Sequence, residues 1–402
     1  MRRERGFSLI ELMVAVAIGL IVLAGITVIF IAQKQVVNSS MSQGAIQNAD
    51  NALSSIMTEA IRGAGFTGCG TLAHANNMVN YTTNATPWVY SPGNFTAPVF
   101  GYDANGTSGG GSYAIASLNA VNDSDTGDWT PALDASLAGM VEQGSDILVL
   151  NGEIPGTHPI GVPTVDQLSN PNTFTVYNAG AADPAGTPIQ FTDADGNPIN
   201  IQVTAVAISD CAKSSIFVPV LSDGQIVNPV TVAGYGVNGA GNTATQITPV
   251  YQAGLQMVPM QQVVYYVGHG DGNQSALYQA VLVDGTWHSE ALVPGVDNMQ
   301  ILYGVGLNGQ TTQYLSASGV QALEANPPAD VPSLPFNPWT AVNSVRIAFL
   351  IEGGMGSAPP TTAPTAWNVL GTSVTTPATP QVPNTRLRHV YVLTVNLRNS
   401  SL

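Results

Sequence analysis

The chain has 402 residues, 45% of them hydrophobic, which is enough to bury one large core or two and excludes disorder throughout. Only 9% are charged, against ~25% in an ordinary soluble domain, and the 42 Gly and 27 Pro point to a turn-rich, β-rich body with an Asn, Thr, Ser and Gln surface. The formal charge of −15 already includes three arginines among the first five residues, so the body is more acidic still and a nucleic-acid surface is excluded.

Gly6-Phe7-Ser8-Leu9-Ile10-Glu11 follows the basic start, and no charge appears from Leu12 to Ala32. As a helix that run crosses about 30 Å of hydrocarbon, with the arginines left on the cytoplasmic side. A cleavable signal would place its small-residue site after the run, near Ala24-Gly25 or Ile31-Ala32. Glu11 does not fit a plain anchor. A carboxylate at the centre of a bilayer costs at least ~2.5 kcal/mol, which makes an intramembrane acid a functional hypothesis. The Gly6 to Glu11 junction resembles the processing motif of type IV prepilins and type II secretion pseudopilins. That resemblance implies cleavage after Gly6 by a prepilin peptidase, methylation of the Phe7 amine, and retention of the apolar helix. Glu11 then lies in the first turn of the mature helix, where the dipole favours it and its own or a neighbour's terminal amine can neutralise it. The alternative is an anchor helix whose acid merely sits at the interface.

Ile46, Ala49, Leu53, Ile56 and Ala60 continue the helix as an apolar stripe among Ser, Gln, Asn and Asp, so this half packs on a globular head. Gly63 and Gly65 end it. Beyond them, β-branched or aromatic runs bounded by turn residues predict strands at 146–151, 199–206, 216–220, 262–267, 277–283, 299–305, 344–351 and 389–397. No comparable amphipathic helix returns, which disfavours an α/β enzyme fold. The stretches 90–143, 228–248 and 353–384, rich in Gly, Asn, Pro or Thr, read as long loops, either binding surface or loose decoration. Cys69 and Cys211 allow one intramolecular disulfide or two free thiols. An oxidising periplasm favours the bridge, worth at most about 5 kcal/mol for so long a closure.

Enzymatic patterns fail on context. Gly106-Thr-Ser-Gly-Gly110 fits GxSxG without a strand before it and a helix after it. Gly234 to Gly239 and Gly304 to Gly309 fit GxGxxG outside any βαβ unit. His74, His158, His269, His288 and His389 are scattered and form no HExxH pair. Asp193-Ala-Asp195-Gly-Asn197 is the one candidate for a hard cation such as calcium, but Gly196 comes too early for an EF-hand and a β-turn is the competing reading. Asp123, Asp125 and Asp128 are a second acidic cluster of the same kind.

The blocks Arg62 to Cys69, Ser209 to Phe217, Leu292 to Gly304, Val345 to Leu350 and Arg386 to Asn399 resemble, in order, the PilW family of minor pilins. The resemblance implies an α+β pilin fold: leader 1–6, helix 7–64 with its transmembrane part at about 10–32, and a β-rich periplasmic or extracellular head at 65–402. Two subdomains could divide near 220–260. No enzymatic activity is expected, since the sequence offers no credible nucleophile-base pair or metal constellation, and no cofactor beyond the calcium candidate at Asp193, Asp195 and Asn197. The expected role is to prime type IV pilus assembly near the fibre tip, much as the J-type minor pseudopilin does in type II secretion. Retention of Glu11 separates the chain from K-type pseudopilins, which lack the acid and cap the tip. Expected partners are the prepilin peptidase, other minor pilins and the major pilin, an inner-membrane assembly platform and a tip adhesin, with the precursor anchored in the inner membrane by a single pass. The competing function is a pilus-anchored adhesin that binds through the loops at 90–143 and 353–384.

Overall fold

The computed structural model describes residues 9–70, 72, 75–80, 94–115, 124–162, 173–174, 177–178, 181–182, 184–199, 205–223, 225–232, 241–242, 246–247, 250–251, 254–269, 274–283, 286–306, 309–323, 337–359, 365–376 and 385–399. Helix α1, Leu9–Gly63, is continuous over 55 residues, about 80 Å at 1.5 Å per residue. Its first half is exposed, apolar on every side, and long enough to cross a membrane. From Ser42 onward one row is buried: Ser42, Ile46, Ala49, Leu53, Met57 and Ile61. Ile56 and Ala60 of the expected stripe pack partly buried against the core, and beside them Met57 and Ile61, which the stripe did not include, are fully buried. Successive i+4 steps drift about 40° around a helix, and the head follows that drift.

The head is built on a large curled sheet. Its strands are β1 (Ala75–Asn77), β2 (Val99–Ala104), β3 (Trp129–Thr130), β4 (Ile147–Glu153), β5 (Ala205–Ser209), β6 (Ser214–Phe217), β7 (Leu255–His269), β8 (Ser275–Val283) and β9 (Thr286–Pro294). The main path runs β1-β6-β5-β7-β4-β2-β3, with β8 on β7 and β9 on β8, and Ile160–Val162 also pairs with β7. β7 organises the whole: residues 256–260 pair with β5, 260–265 with β4, and 263–269 with β8. One uninterrupted strand thereby joins the region before residue 260 to the region after it.

A second antiparallel sheet contains β10 (Val296–Val305), β11 (Gln313–Leu315), β12 (Val342–Glu352) and β15 (Arg388–Asn396), in the order β11-β10-β12-β15. A short helix α2 (Ala317–Ala322) follows β11. The hairpin β13 (Thr365–Val369) and β14 (Thr372–Thr376) pairs with Ser112–Ala114. The largest core joins α1 to both sheets through Leu53, Met57, Phe100, Leu148, Tyr266, Tyr303, Trp339 and Phe349. A smaller one lies between β12 and the hairpin, with Ile115, Ala348, Leu350, Val369 and Val374.

Two expectations about loops are corrected here. The stretch 90–143 contains β2, whose six residues are all buried. Burial on both faces leaves no alternation to detect. Gly101 is required there because a Cβ would stand 1.9 Å from the Tyr303 hydroxyl, which belongs to a ring packed edge-on against Trp339 at 5.1 Å. The Pro/Thr-rich stretch 353–384 contains β13 and β14, where β-branched Thr and Val act as strand formers with Val369 and Val374 inward. Within 228–248 the described strands are only Val230–Thr231 and Gly241–Asn242. The expected strand at 199–206 is described as Ala205–Ser209, with 200–204 outside the described residues.

Candidate functional site along the helix

Gly6 and Phe7 lie outside the described residues. Glu11 occupies the first turn of α1, on the exposed apolar half, as the sole charged residue between Leu9 and Gln33. The positive end of the helix dipole favours a carboxylate at that position.

Midway along the rod the head takes hold of it. The Gly354 amide donates to Ser42 Oγ at 3.1 Å, and Gly353 has no room for a side chain because a Cβ would lie 2.7 Å from Ser42 Cβ. Directly before this contact sits a buried charge quartet. Arg388 donates from Nε to Asp297 Oδ2 at 2.5 Å and from Nη2 to Glu352 Oε2 at 3.0 Å, and Arg386 donates to the other Glu352 oxygen. The four side chains are 1–9% exposed. Burial and the charge of Glu352 push the Asp297 carboxyl well above its ordinary range, while Arg388 opposes the shift. The quartet ties the start of β10, the end of β12 and the start of β15 into one unit against the helix. His389, next in β15, brings Nε2 to 3.8 Å from Asp50 Oδ2 on α1, and burial raises the Asp50 carboxyl while His389 lowers it.

At the distal end the chain leaves the helix through Gly65, at φ +82°, a conformation glycine adopts without strain. The Gly65 amide donates to Asn151 O at 2.7 Å, Ala64 bridges to Gly152, and Asn399 Nδ2 donates to Ala64 O at 3.1 Å. Asn151 is buried, with Nδ2 donating to the Asn94 and Ala97 carbonyls and Oδ1 accepting from Gln262. The helix exit is thus held by polar groups with partners, and the apolar core lies beneath them. Four residues further on, Cys69 is bonded to Cys211 with Cα atoms 4.8 Å apart, joining the helix exit to the turn after β5. Of the two readings left open for these cysteines, the bridge is the one observed.

Asp193 Oδ1 accepts from the Asp195 and Asn197 amides at 2.9 and 2.8 Å, and Oδ2 accepts from Asn197 Nδ2 at 3.1 Å. The Asn197 bonds, ahead of those from Asp195 and Gly196, hold the Asp193 carboxyl below its ordinary value. Both oxygens serve the turn, which is what the β-turn reading requires. Asp125 and Asp128 cap a short 3-10 turn, the Asp125 amide donating to Asp128 Oδ2, and Asp123 lies outside the described residues. Among the described residues no group of three or more His, Cys, Asp or Glu is placed to hold a metal.

The quartet and the Asn151–Gln262 network went unmarked by motif or period. The one sequence sign of the quartet was Arg386 and Arg388 standing at the mouth of an apolar strand in a chain where charge is scarce.

A helix half bare and apolar, half serving as the spine of a largely antiparallel β head, is a pilin-type α+β fold. Residues 264–399 match the family described as Type IV Pilus-assembly protein W (PilW), and residues 1–27 match the prokaryotic N-terminal methylation motif. Over those two stretches the chain is similar to minor pilins of the PilW family, whose members are structural assembly proteins. None of the curated proteins and none of the solved structures matches it.

Proposed function

We propose that the chain is a minor pilin that primes assembly of a type IV pilus near the fibre tip, after cleavage behind Gly6 and methylation of Phe7, with Glu11 registering its helix against the amine of a neighbouring subunit. The supporting observation is the position of Glu11: a single carboxylate in the first turn of an apolar helix that the head leaves uncovered. A carboxylate in lipid is favoured by a nearby cation, and trimming six residues places a new terminal amine at Phe7, one helical turn from Glu11. The precursor then stands in the inner membrane with its head in the periplasm. Its partners are the prepilin peptidase, the assembly platform, and the other minor and major pilins. The adhesin reading loses its simplest test, because removing 90–143 would remove the buried strand β2 and with it part of the core.

The deciding experiment replaces Glu11 with Leu in a null strain. The Glu11→Leu protein is expected to insert and to be processed to Phe7 by intact mass, yet to restore no fibres. Full piliation would defeat the registration idea.

A further inference from the structure

The distal end of α1 carries a cleft of about 600 Å³ between the last helical turn, the end of β4, β7 and the chain segment after β15. Ile56, Ala60, Leu150, Val263 and Tyr265 give it an apolar side. Two arginines, Arg62 and Arg398, line both this cleft and the shallower hollow beside it. Both are exposed, and among the described residues neither enters an ion pair. The helix dipole accounts for Arg62, a cation in the last turn. It does not account for Arg398, which comes from the far end of the chain. Two arginines lining one hollow, neither in an ion pair among the described residues, stand out in a chain with 10 Lys and Arg in 402 residues and a charge of −15.

From this arrangement we infer that the cleft binds an acidic peptide segment of the subunit standing tipward of this one, a partner's carboxylate on Arg62 and Arg398 and its apolar neighbour against Ile56, Val263 and Tyr265. The inference rests on the pilin reading for its direction: with residues 12–32 in the membrane, Gly63 stands about 45 Å beyond the bilayer edge, out of reach of lipid headgroups. Glu59 and Glu153, on the walls of the same cleft, oppose a multiply charged anion such as phosphate but tolerate a single carboxylate clamped by two guanidiniums. Gln261, Gln279 and Asn399 offer amide groups of the kind an extended backbone uses.

The test titrates full-length, detergent-solubilised protein with three capped pentapeptides, Gly-Leu-X-Leu-Gly, in which X is Asp, Asn or Lys. The Asp peptide is expected to bind about tenfold or more tighter than the Asn peptide, the discrimination one charge-assisted hydrogen bond supplies, and the Lys peptide weakest. Arg62→Gln and Arg398→Gln should each erase the preference while leaving the disulfide and the unfolding transition intact. Equal binding of the Asp and Asn peptides, no binding of any at millimolar concentration, or stronger binding of galacturonate than of the Asp peptide would overturn the inference, the last in favour of a carbohydrate site. The assembly reading fails separately: if Glu11→Leu piliates normally while the arginine variants lose peptide binding, the cleft stands and the registration role does not.

Discussion

The two halves of α1 share one backbone and differ in what their sequences demand of the surroundings. Between Leu9 and Ala32 apolar side chains point in every direction, Leu20 being 62% exposed and Ile21 73%, so there is no preferred face for the head to cover. Between Ser42 and Ile61 the apolar residues fall in one row, and Leu53, Met57 and Ile61 are fully buried. The first pattern needs a solvent that is apolar all round, which lipid or a bundle of like helices provides; the second needs a single wall. The change occurs at Ser42, where the loop at 353–354 touches the helix and the buried quartet stands behind it.

The harshest way to break this comparison is to unseat the wall at that point. Arg388→Met leaves Asp297 without its guanidinium and removes one of the two that Glu352 holds, and loss of one partner from a buried pair costs about 3–5 kcal/mol. Urea unfolding of the detergent-solubilised protein should show that loss with membrane insertion unchanged. Stability within 1 kcal/mol of the parent would mean the quartet does not hold the head. A matched pair of truncations sharpens the contrast between the halves. Leu53→Ala should cost about 2–5 kcal/mol in the same assay, as for other fully buried leucines, whereas Leu20→Ala should leave head unfolding unmoved. Similar losses at both sites would mean the membrane half also takes part in the fold of the head.

How much of this was legible depended on whether a side chain's surroundings repeat along the chain. The rod was readable because its first half is uniformly apolar and its second half carries a helical period, although the stripe through Ile56 and Ala60 left out the more deeply buried Met57 and Ile61. Strands such as β4, β8 and β12 were readable as β-branched runs. β2 was not, because burial on both faces removes alternation and Gly101 mimics a loop residue while it makes room for Tyr303. The hairpin at 365–376 was hidden by a Pro- and Thr-rich neighbourhood. The quartet draws Asp297, Glu352 and Arg388 from three strands and Arg386 from the segment leading into β15, and the distal cleft draws Arg62 and Arg398 from distant parts of the chain. No local pattern announces residues that only the fold brings together. The N-terminal methylation motif is the opposite case, since it lies in one contiguous stretch of the chain.

The smallest expected effect lies at the far end of the rod, where a second carboxylate contrasts with Glu11. Glu153 closes β4 on the wall of the distal cleft, and its Oε1 accepts from Thr157 Oγ1 at 2.9 Å. Burial pushes its carboxyl up to about 7, with the Thr157 bond opposing the shift. A raised folded value means that the native state binds more protons than the unfolded chain between the ordinary carboxyl range and pH 7, so stability rises as pH falls through that window. Above pH 7 the ionised group is a net burden. Its full linkage value is discounted here because the side chain is only partly buried and solvent screens it, leaving about 1–2 kcal/mol. Glu153→Gln should therefore stabilise the protein by that amount at pH 8 and by almost nothing at pH 4.5, measured as paired urea transitions. An equal effect at both pH values would show that the substitution acts through packing. A larger gain at pH 4.5 would reverse the sign and place the native carboxylate in a favourable site, held in charged form by the nearby Arg62 and Arg398.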